Sequence, residues 1–271
     1  MVGLYRRFSR ALRGSRASLS QLSTAHEPCP RNTPSPRHKV KLQYDGCASG
    51  AWVKTTAILI AFASLPFFSA ININFDSAKP GELPPGWTST FTTQGAPPRW
   101  VVLHDPNAPS RPNVLAQDSG QGALLRFPMC LFDRVTCLDG DVSVKLKILS
   151  GRDGQDAGVV FRAADSTHYY LVRASAREHN IVMFRVTDGR FEAIPVKGAP
   201  AGTVGVRHPI KVGDWNLLRV TYKGSQTTVY FDHRRVFDAF DSAPKTPGRA
   251  GVWTKADTVA YFDDFRIDKK R

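Results

Sequence analysis

From Asp141 to Leu149 the chain reads DVSVKLKIL, and the alternation is strict. Val142, Val144, Leu146 and Ile148 fall on one side of an extended backbone, with Ser143, Lys145 and Lys147 on the other. Strand side chains alternate between faces with period two, so as a strand this segment buries one face and wets the other. A helix would scatter the same residues around its circumference. The signal recurs from Ile71 onward in AGVVFRAA, THYYLVRA, NIVMFRV, WNLLRVTYKG, QTTVYFD, AGVWTK and VAYFDDFRI. These runs are rich in β-branched and aromatic residues and are bounded by Gly, Asp, Asn or Ser. TDGR carries the Asp-Gly pair of a tight hairpin, and YKGSQ reads as a second hairpin. Sustained helical periodicity is hard to find. About a dozen strands with turn signals between them call for two packed antiparallel sheets, an all-β jelly-roll sandwich. KPGELPPGW and HDPNAPSRPN are expected to be surface loops.

The first seventy residues are of another kind. They hold 10 Lys and Arg against 2 Asp and Glu, leaving 27 against 21, or +6, for the rest of a chain whose total is +14. Spread over about two hundred residues, +6 describes a solvated surface rather than a groove that tracks phosphates, so nucleic acid is not expected as a partner. Thr55 to Ala70 is apolar behind Lys54 and ends in the small residues Ser69 and Ala70, the pattern of an export signal. It is too short and too broken by Ser64 and Pro66 for a comfortable transmembrane helix, which needs roughly twenty apolar residues. Phe68 is bulky where a cleavage site prefers a small residue, so an uncleaved segment in contact with the membrane stays open.

Two explanations fit the position of that segment. Residues 1–52 are a disordered or mis-assigned extension ahead of a true start at Val53, or the Arg- and Ser-rich opening is a transit peptide. The expected organisation is therefore an extension over 1–52, a signal-like segment over 53–70 and one β-sandwich over 71–271. The expected location is exported, periplasmic or extracellular.

Cys29 and Cys47 precede the sandwich, and Cys130 and Cys137 lie inside it. In an oxidising compartment the second pair could close the loop CLFDRVTC as a disulfide; free thiols are the alternative. No C-x-x-C and no second pair complete a zinc site, and the seven histidines show no H-x-x-x-H or H-x-H spacing.

The stretches AGVVFRAADSTHYYLVRASAREHNIVMFRVTDGRFE, GDWNLLRVTYKGSQTTVYFDHRRVF and GRAGVWTKADTVAYFDDFRI together resemble the concanavalin A-like (laminin G-like) jelly-roll superfamily. More narrowly, they are similar to an exported bacterial group named for 3-keto-disaccharide hydrolysis. The resemblance runs from about Asn74 to Lys269 and implies a concave sheet, a glycan or small saccharide ligand and export. It leaves binding and turnover undecided, since the superfamily contains lectins and hydrolases alike. In several resembling folds the first and last strands hold a structural Ca²⁺, which makes Asp76 and Asp264 its candidate ligands; no other cofactor is implied.

Glycosidases of the two-carboxylate type need a spaced acidic pair. The glucanase branch of the superfamily supplies it from one strand as E-x-D-x-E or E-x-D-x-x-E, and none of the four glutamates, at 27, 82, 178 and 192, belongs to such a motif. Keto-sugars acidify the neighbouring C–H, so an elimination could work with one base, for which His168 and Tyr169 are candidates. Sugar sites combine an aromatic ring with planar polar groups that bind hydroxyls in pairs. Alternation places Arg162, Tyr169, Arg173 and Arg185 on one face of adjacent strands, with Asn180 and Trp253 extending the stripe. Three functions follow as expectations: a carbohydrate-binding domain, an enzyme acting on modified sugars, and a non-catalytic envelope domain that binds protein.

Overall fold

The computed structural model describes residues 70–93, 95–120 and 124–270. The N-terminal extension and all but Ala70 of the apolar segment lie outside them. Among the described residues no helix is long and apolar enough to cross a membrane.

Sixteen strands follow one another among the described residues. They are β1 (Ile71–Ile73), β2 (Trp87–Thr92), β3 (Trp100–His104), β4 (Asn113–Gln117), β5 (Phe127–Cys137), β6 (Asp139–Ser150), β7 (Asp156–Ala163) and β8 (Tyr169–Ser175). There follow β9 (Asn180–Thr187), β10 (Arg190–Ala193), β11 (Val206–Arg207), β12 (Asn216–Lys223), β13 (Gln226–Phe231), β14 (Arg234–Phe240), β15 (Gly248–Thr254) and β16 (Val259–Lys270). One sheet has the order β14-β13-β12-β6-β16-β4-β3, with β1 on β16; the other has β10-β9-β8-β7-β15-β5-β2, with β11 on β9. All pairings are antiparallel, so the chain is the expected all-β sandwich.

Both sequence-read hairpins are present. Asp188 and Gly189 take φ of 51° and 71° between Thr187 and Arg190, the left-handed pair that a two-residue turn requires and that Asp-Gly supplies at little cost. Gly224, at φ of 52°, and Ser225 join Lys223 to Gln226 as a second two-residue turn. Asp139, Gly140 and Asp141 open β6, Gly140 lying opposite Tyr222 and Lys269.

The two sheets enclose a continuous core to which β6 gives Val142, Val144, Leu146 and Ile148, and β12 gives Leu218, Val220 and Tyr222. The second sheet answers with Val159, Phe161, Val172, Met183 and Val252. Cys130 and Cys137 are both buried in this core as free thiols, which corrects the disulfide expectation. They pair with Val252 and Gly248, four residues apart on β15, so about 13 Å of strand separates them. A disulfide needs Cα atoms within about 7 Å.

The other face of the second sheet is not a polar concave surface. It carries its own apolar cluster of Met129, Leu131, Val160, Leu171, Val182 and Trp253, among others. The sheet curls until its edges touch: the Thr92 hydroxyl of β2 lies 2.7 Å from the Tyr169 hydroxyl of β8, and donates to the Ser166 carbonyl at 2.7 Å. The rings of Phe127 on β5 and Phe191 on β10 stand 4.5 Å apart although four strands intervene in the sheet. That curl explains why β7 and β8 are buried at every position, and why their sequences run apolar on both faces.

Candidate functional site

Two β-bulges decide where the polar side chains go. Arg249 pairs with Ala163 and Gly251 with Val160, so Phe161 and Arg162 together face Ala250. Arg162 takes φ of 50°, and the bulge turns its guanidinium away from the concave face into the end of the sandwich. There Nε donates to the Leu138 carbonyl at 2.6 Å and Nη2 to the Gly224 carbonyl at 2.9 Å, with Asp139 at 3.1 Å. The plane lies over Tyr222 and Tyr170, 5.1 and 5.9 Å from their ring centres.

The second bulge lies in β16, where Asp264 takes φ of 48° and the register with β6 shifts between Asp263 and Arg266. Alternation through YFDDFRI therefore breaks: Phe262, Phe265 and Ile267 are all core, and Asp263 is buried while Asp264 turns out to Lys145 at 2.7 Å. The carboxylate near Asp76 is thus Asp263 rather than Asp264, a correction of the expected calcium pair. Ser110 links the two, its N–H donating to Asp263 at 2.7 Å and its hydroxyl to Asp76 at 2.5 Å. Asn113 N–H adds a bond to Asp76 and Asp264 N–H one to Asp263. These oxygens are turned toward N–H and O–H donors, whereas Ca²⁺ needs six to eight oxygens around one point. Among the described residues no group of three His, Cys, Asp or Glu is arranged to hold a metal. The residues present do not fit a Ca²⁺ site.

A cavity of about 630 Å³ opens where β8, β9 and β10 meet the Ala243–Thr246 segment. Arg162, His168, Tyr170, Arg185, Asp188 and Glu192 supply its polar lining. Tyr170 and Arg185 are register partners across β8 and β9, and both reach Asp241. Asp241 accepts from the Tyr170 hydroxyl at 2.6 Å, Arg185 Nη1 at 2.8 Å and the Ala243 N–H at 3.0 Å, with the Lys245 ammonium at 3.4 Å. Burial opposes its charge, but the Tyr170 and Ala243 bonds and the Lys245 and Arg185 charges prevail and hold the carboxyl below its ordinary range. Burial lowers the Lys245 ammonium, with Asp241 pulling the other way. The second fork of Arg185 pairs with Glu192, an exposed carboxylate on the edge strand. Asp241 thus fastens one wall of the cavity to the sheet and fixes the orientation of Arg185.

His168 closes the rim. Its Nδ1 is 3.1 Å from Asp165 and its Nε2 3.1 Å from Asp188, so it bridges the β7–β8 loop to the β9–β10 turn. The bond to Asp165 raises its pKa against desolvation, and Asp188 adds to the rise. With both ring nitrogens engaged by carboxylates, the imidazole has no nitrogen turned toward a substrate proton and is poorly placed as a general base. Tyr169 is equally unsuited: its hydroxyl is bonded to Thr92, and burial pushes its pKa up strongly.

The expected stripe is divided into three. Arg162 and Arg185 line the cavity together with His168. Tyr169 borders the same cavity and, with Trp253, fills the curl, the indole stacked on Phe127 at 5.8 Å. Arg173 and Asn180 lie toward the opposite end of β8 and β9, where Arg173 pairs with Asp156 at 3.2 Å and Glu178 at 2.8 Å and donates to Asn180 at 2.7 Å. Sequence reasoning missed Tyr170 and the Asp241 and Lys245 pair. The first was recoverable from the Tyr170–Arg185 register; the second sits in DSAPKTP, a loop with no periodic signal.

No family model matches the chain, and no curated protein matches it. Among solved structures it is similar to the carbohydrate binding module CBM66 from Bacillus subtilis, with a TM-score of 0.51 and 21% identity over 68% of this chain and 96% of that one. The cellulose induced protein Cip1 follows at TM-score 0.49 and 13% identity, covering 74% and 98%. A protein with a galectin-like fold from Bacillus subtilis aligns at TM-score 0.44 and 12% identity, covering 68% and 89%. At 21% identity the first likeness shows the fold alone, a jelly-roll sandwich of two antiparallel sheets.

Proposed function

We propose that the chain is an exported carbohydrate-binding domain whose ligand site is the cavity at the β8–β10 end rather than the concave sheet face. The observation that carries this reading is the convergence of planar hydrogen-bonding groups, Arg185, Glu192, Asp188 and His168, around one open cavity beside Tyr170. A guanidinium and a carboxylate side by side bind vicinal hydroxyls in pairs, the recognition that a pyranose or furanose edge demands. The likeness in fold to a carbohydrate binding module supports the reading at the level of architecture. The rest of the concave face is filled by its own apolar side chains, Trp253, Met129 and Leu131 among them, while Tyr169 and Phe191 at its end border the cavity.

The test is titration of the full chain with a panel of disaccharides and their 3-keto derivatives, read by ligand NMR and calorimetry. Expected are line broadening without turnover and at least tenfold weaker binding in Arg185→Ala. Undiminished binding in that variant, or no binding at millimolar sugar, would sink the reading. A reaction on a 3-keto sugar, the finer expectation from sequence, needs a base that neither His168 nor Tyr169 is placed to supply; new sugar resonances in the same spectra would restore it.

A further inference from the structure

Six large apolar side chains are exposed among the described residues: Leu124, Leu125, Leu138, Val204, Val212 and Phe240. Four of them lie about the end of the sandwich that carries the cavity. Leu138 and Phe240 flank one side. Arg162, itself part of the cavity lining, donates to the carbonyls of Leu138 at 2.6 Å and Gly224 at 2.9 Å, and Phe240 lies opposite Gln226, two residues beyond Gly224. On the other side the Thr93 hydroxyl donates to the Leu125 carbonyl, while that of Thr92 reaches the Ser166 carbonyl at 2.7 Å, two residues before His168 on the rim. Val204 lies along the flank, opposite Pro195. Val212 stands at the far end, next to Gly213, whose N–H donates to the Ile148 carbonyl at 2.8 Å.

The chain enters the sandwich at the same end. From Ile73 back to Ile71, β1 runs along β16 from Phe265 to Ile267. Three residues further along β16, Lys270 pairs with Asp139, the neighbour of Leu138. Measured along the strands, Ala70 is therefore within about 10 Å of the level at which Leu138 is exposed. The apolar stretch that begins at Thr55 ends at Ala70, and the sheet starts at Ile71, so no linker separates the two. A residue spans at most ~3.6 Å, and a bilayer that holds the apolar stretch must lie against this end of the sandwich.

We propose that the apolar stretch is retained and that the cavity end docks on a lipid bilayer, with Leu138 and Phe240 on one side and Leu124 and Leu125 on the other entering the boundary between headgroups and acyl chains. Exposed apolar side chains grouped at one end mark such a contact, and interfacial binding grows with the apolar area buried. Charge does not select this end: Arg134 and Lys223 here and Lys211 and Arg234 at the far end are exposed alike. The point of chain entry and the apolar side chains select it, so the docking needs no anionic lipid and withstands salt. It is independent of the sugar reading, since vesicles without sugar suffice to test it.

The test is hydrogen exchange of the full chain, read by mass spectrometry with and without phosphatidylcholine vesicles in high salt. Expected are about fivefold slower exchange in peptides carrying Leu124 and Leu125, Leu138 and Phe240, and no change in those carrying Val212 or the Asp232–His233 turn. Leu138→Ser with Phe240→Ser should still float with the vesicles through the apolar stretch but lose most of that protection, whereas Val204→Ser with Val212→Ser should keep it. Protection absent from the cavity end, shared equally by the far end, or unaltered in the first variant would overturn the proposal. Removal of the apolar stretch on export, read from the intact mass of the protein recovered from cells, would overturn it as well.

Discussion

Replacing Asp263 by Asn should stabilise the protein near neutral pH and leave it almost unchanged in acid. Asp263 is fully buried in β16, and burial, with the neighbouring charges of Asp264 and Asp76, pushes its carboxyl from 3.8 to about 6 despite the bonds from Ser110 and Asp264 N–H. A rise of about two units corresponds to roughly 3 kcal/mol, at 1.36 kcal/mol per unit. A carboxyl whose pKa is raised by folding binds its proton more tightly in the folded state. Its favourable contribution is therefore complete below the unfolded value near 3.8 and is lost as pH climbs through about 6. Above that the fold carries a buried charge facing Asp76 across Ser110.

An amide has the shape of the neutral acid and no titration. At pH 4 Asp263→Asn should lie within about 1 kcal/mol of the wild type, the worth of one imperfect hydrogen bond. By pH 7 it should be more stable by about 2 to 3 kcal/mol. Other carboxyls, Asp241 and Asp257 among them, are held low and oppose the wild-type trend, so the informative quantity is the difference between the two proteins. Urea unfolding followed by tryptophan fluorescence reports it, since Trp87 packs 5.0 Å from Phe265 beside this site. A difference that stays flat from pH 4 to 7 refutes the argument, because it means that Asp263 is ionised throughout at no cost or neutral throughout.

The Asp257 carboxylate collects three successive amides, Arg152 at 2.8 Å and Asp153 and Gly154 at 2.9 Å; Asp257→Ala should cost about 2 kcal/mol and speed exchange of those amides, and unaltered exchange would deny the bond its role. With Cys130 and Cys137 apart and reduced, dithiothreitol should leave Tm unchanged; a drop of several degrees would reveal a disulfide. The raised pKa of His168 means that its clamp is fully formed below the ordinary imidazole range and fades as pH rises through the raised value. Exchange of the Gly189 amide, which donates to Thr167 at 3.1 Å, should quicken over that window in the wild type and be pH-independent, apart from intrinsic exchange, in His168→Ala.

Where one face of a strand is wet, the sequence announces the strand and its inward residues together: β12 reads NLLRVTYK, and Leu218, Val220 and Tyr222 are its core positions. Legibility fails at two kinds of place. A bulge changes the phase of alternation, and whether Arg162 or Asp264 adopts a left-handed φ depends on what waits in space to receive the side chain. For Arg162 it is the Leu138 and Gly224 carbonyls, which come from distant loops; for Asp264 it is Lys145 on the next strand.

The other failure concerns what a face is for. Apolar residues alternate with the arginines and tyrosines of β7, β8 and β9, so Val160, Leu171, Val182 and Phe184 sit on the face first assigned to sugar. Four large apolar side chains among the polar ones already implied a covered surface, because an open sheet face would leave them in water at about 25 cal/mol per Å². What covers it, the meeting of β2 with the start of β8, joins Thr92 to Tyr169 across 77 residues, and no local pattern encodes such closure. The polar groups left for a ligand are therefore those that the curl could not absorb: the ones at its end, fastened by Asp241, where strands stop and hydrogen-bonding groups still face solvent.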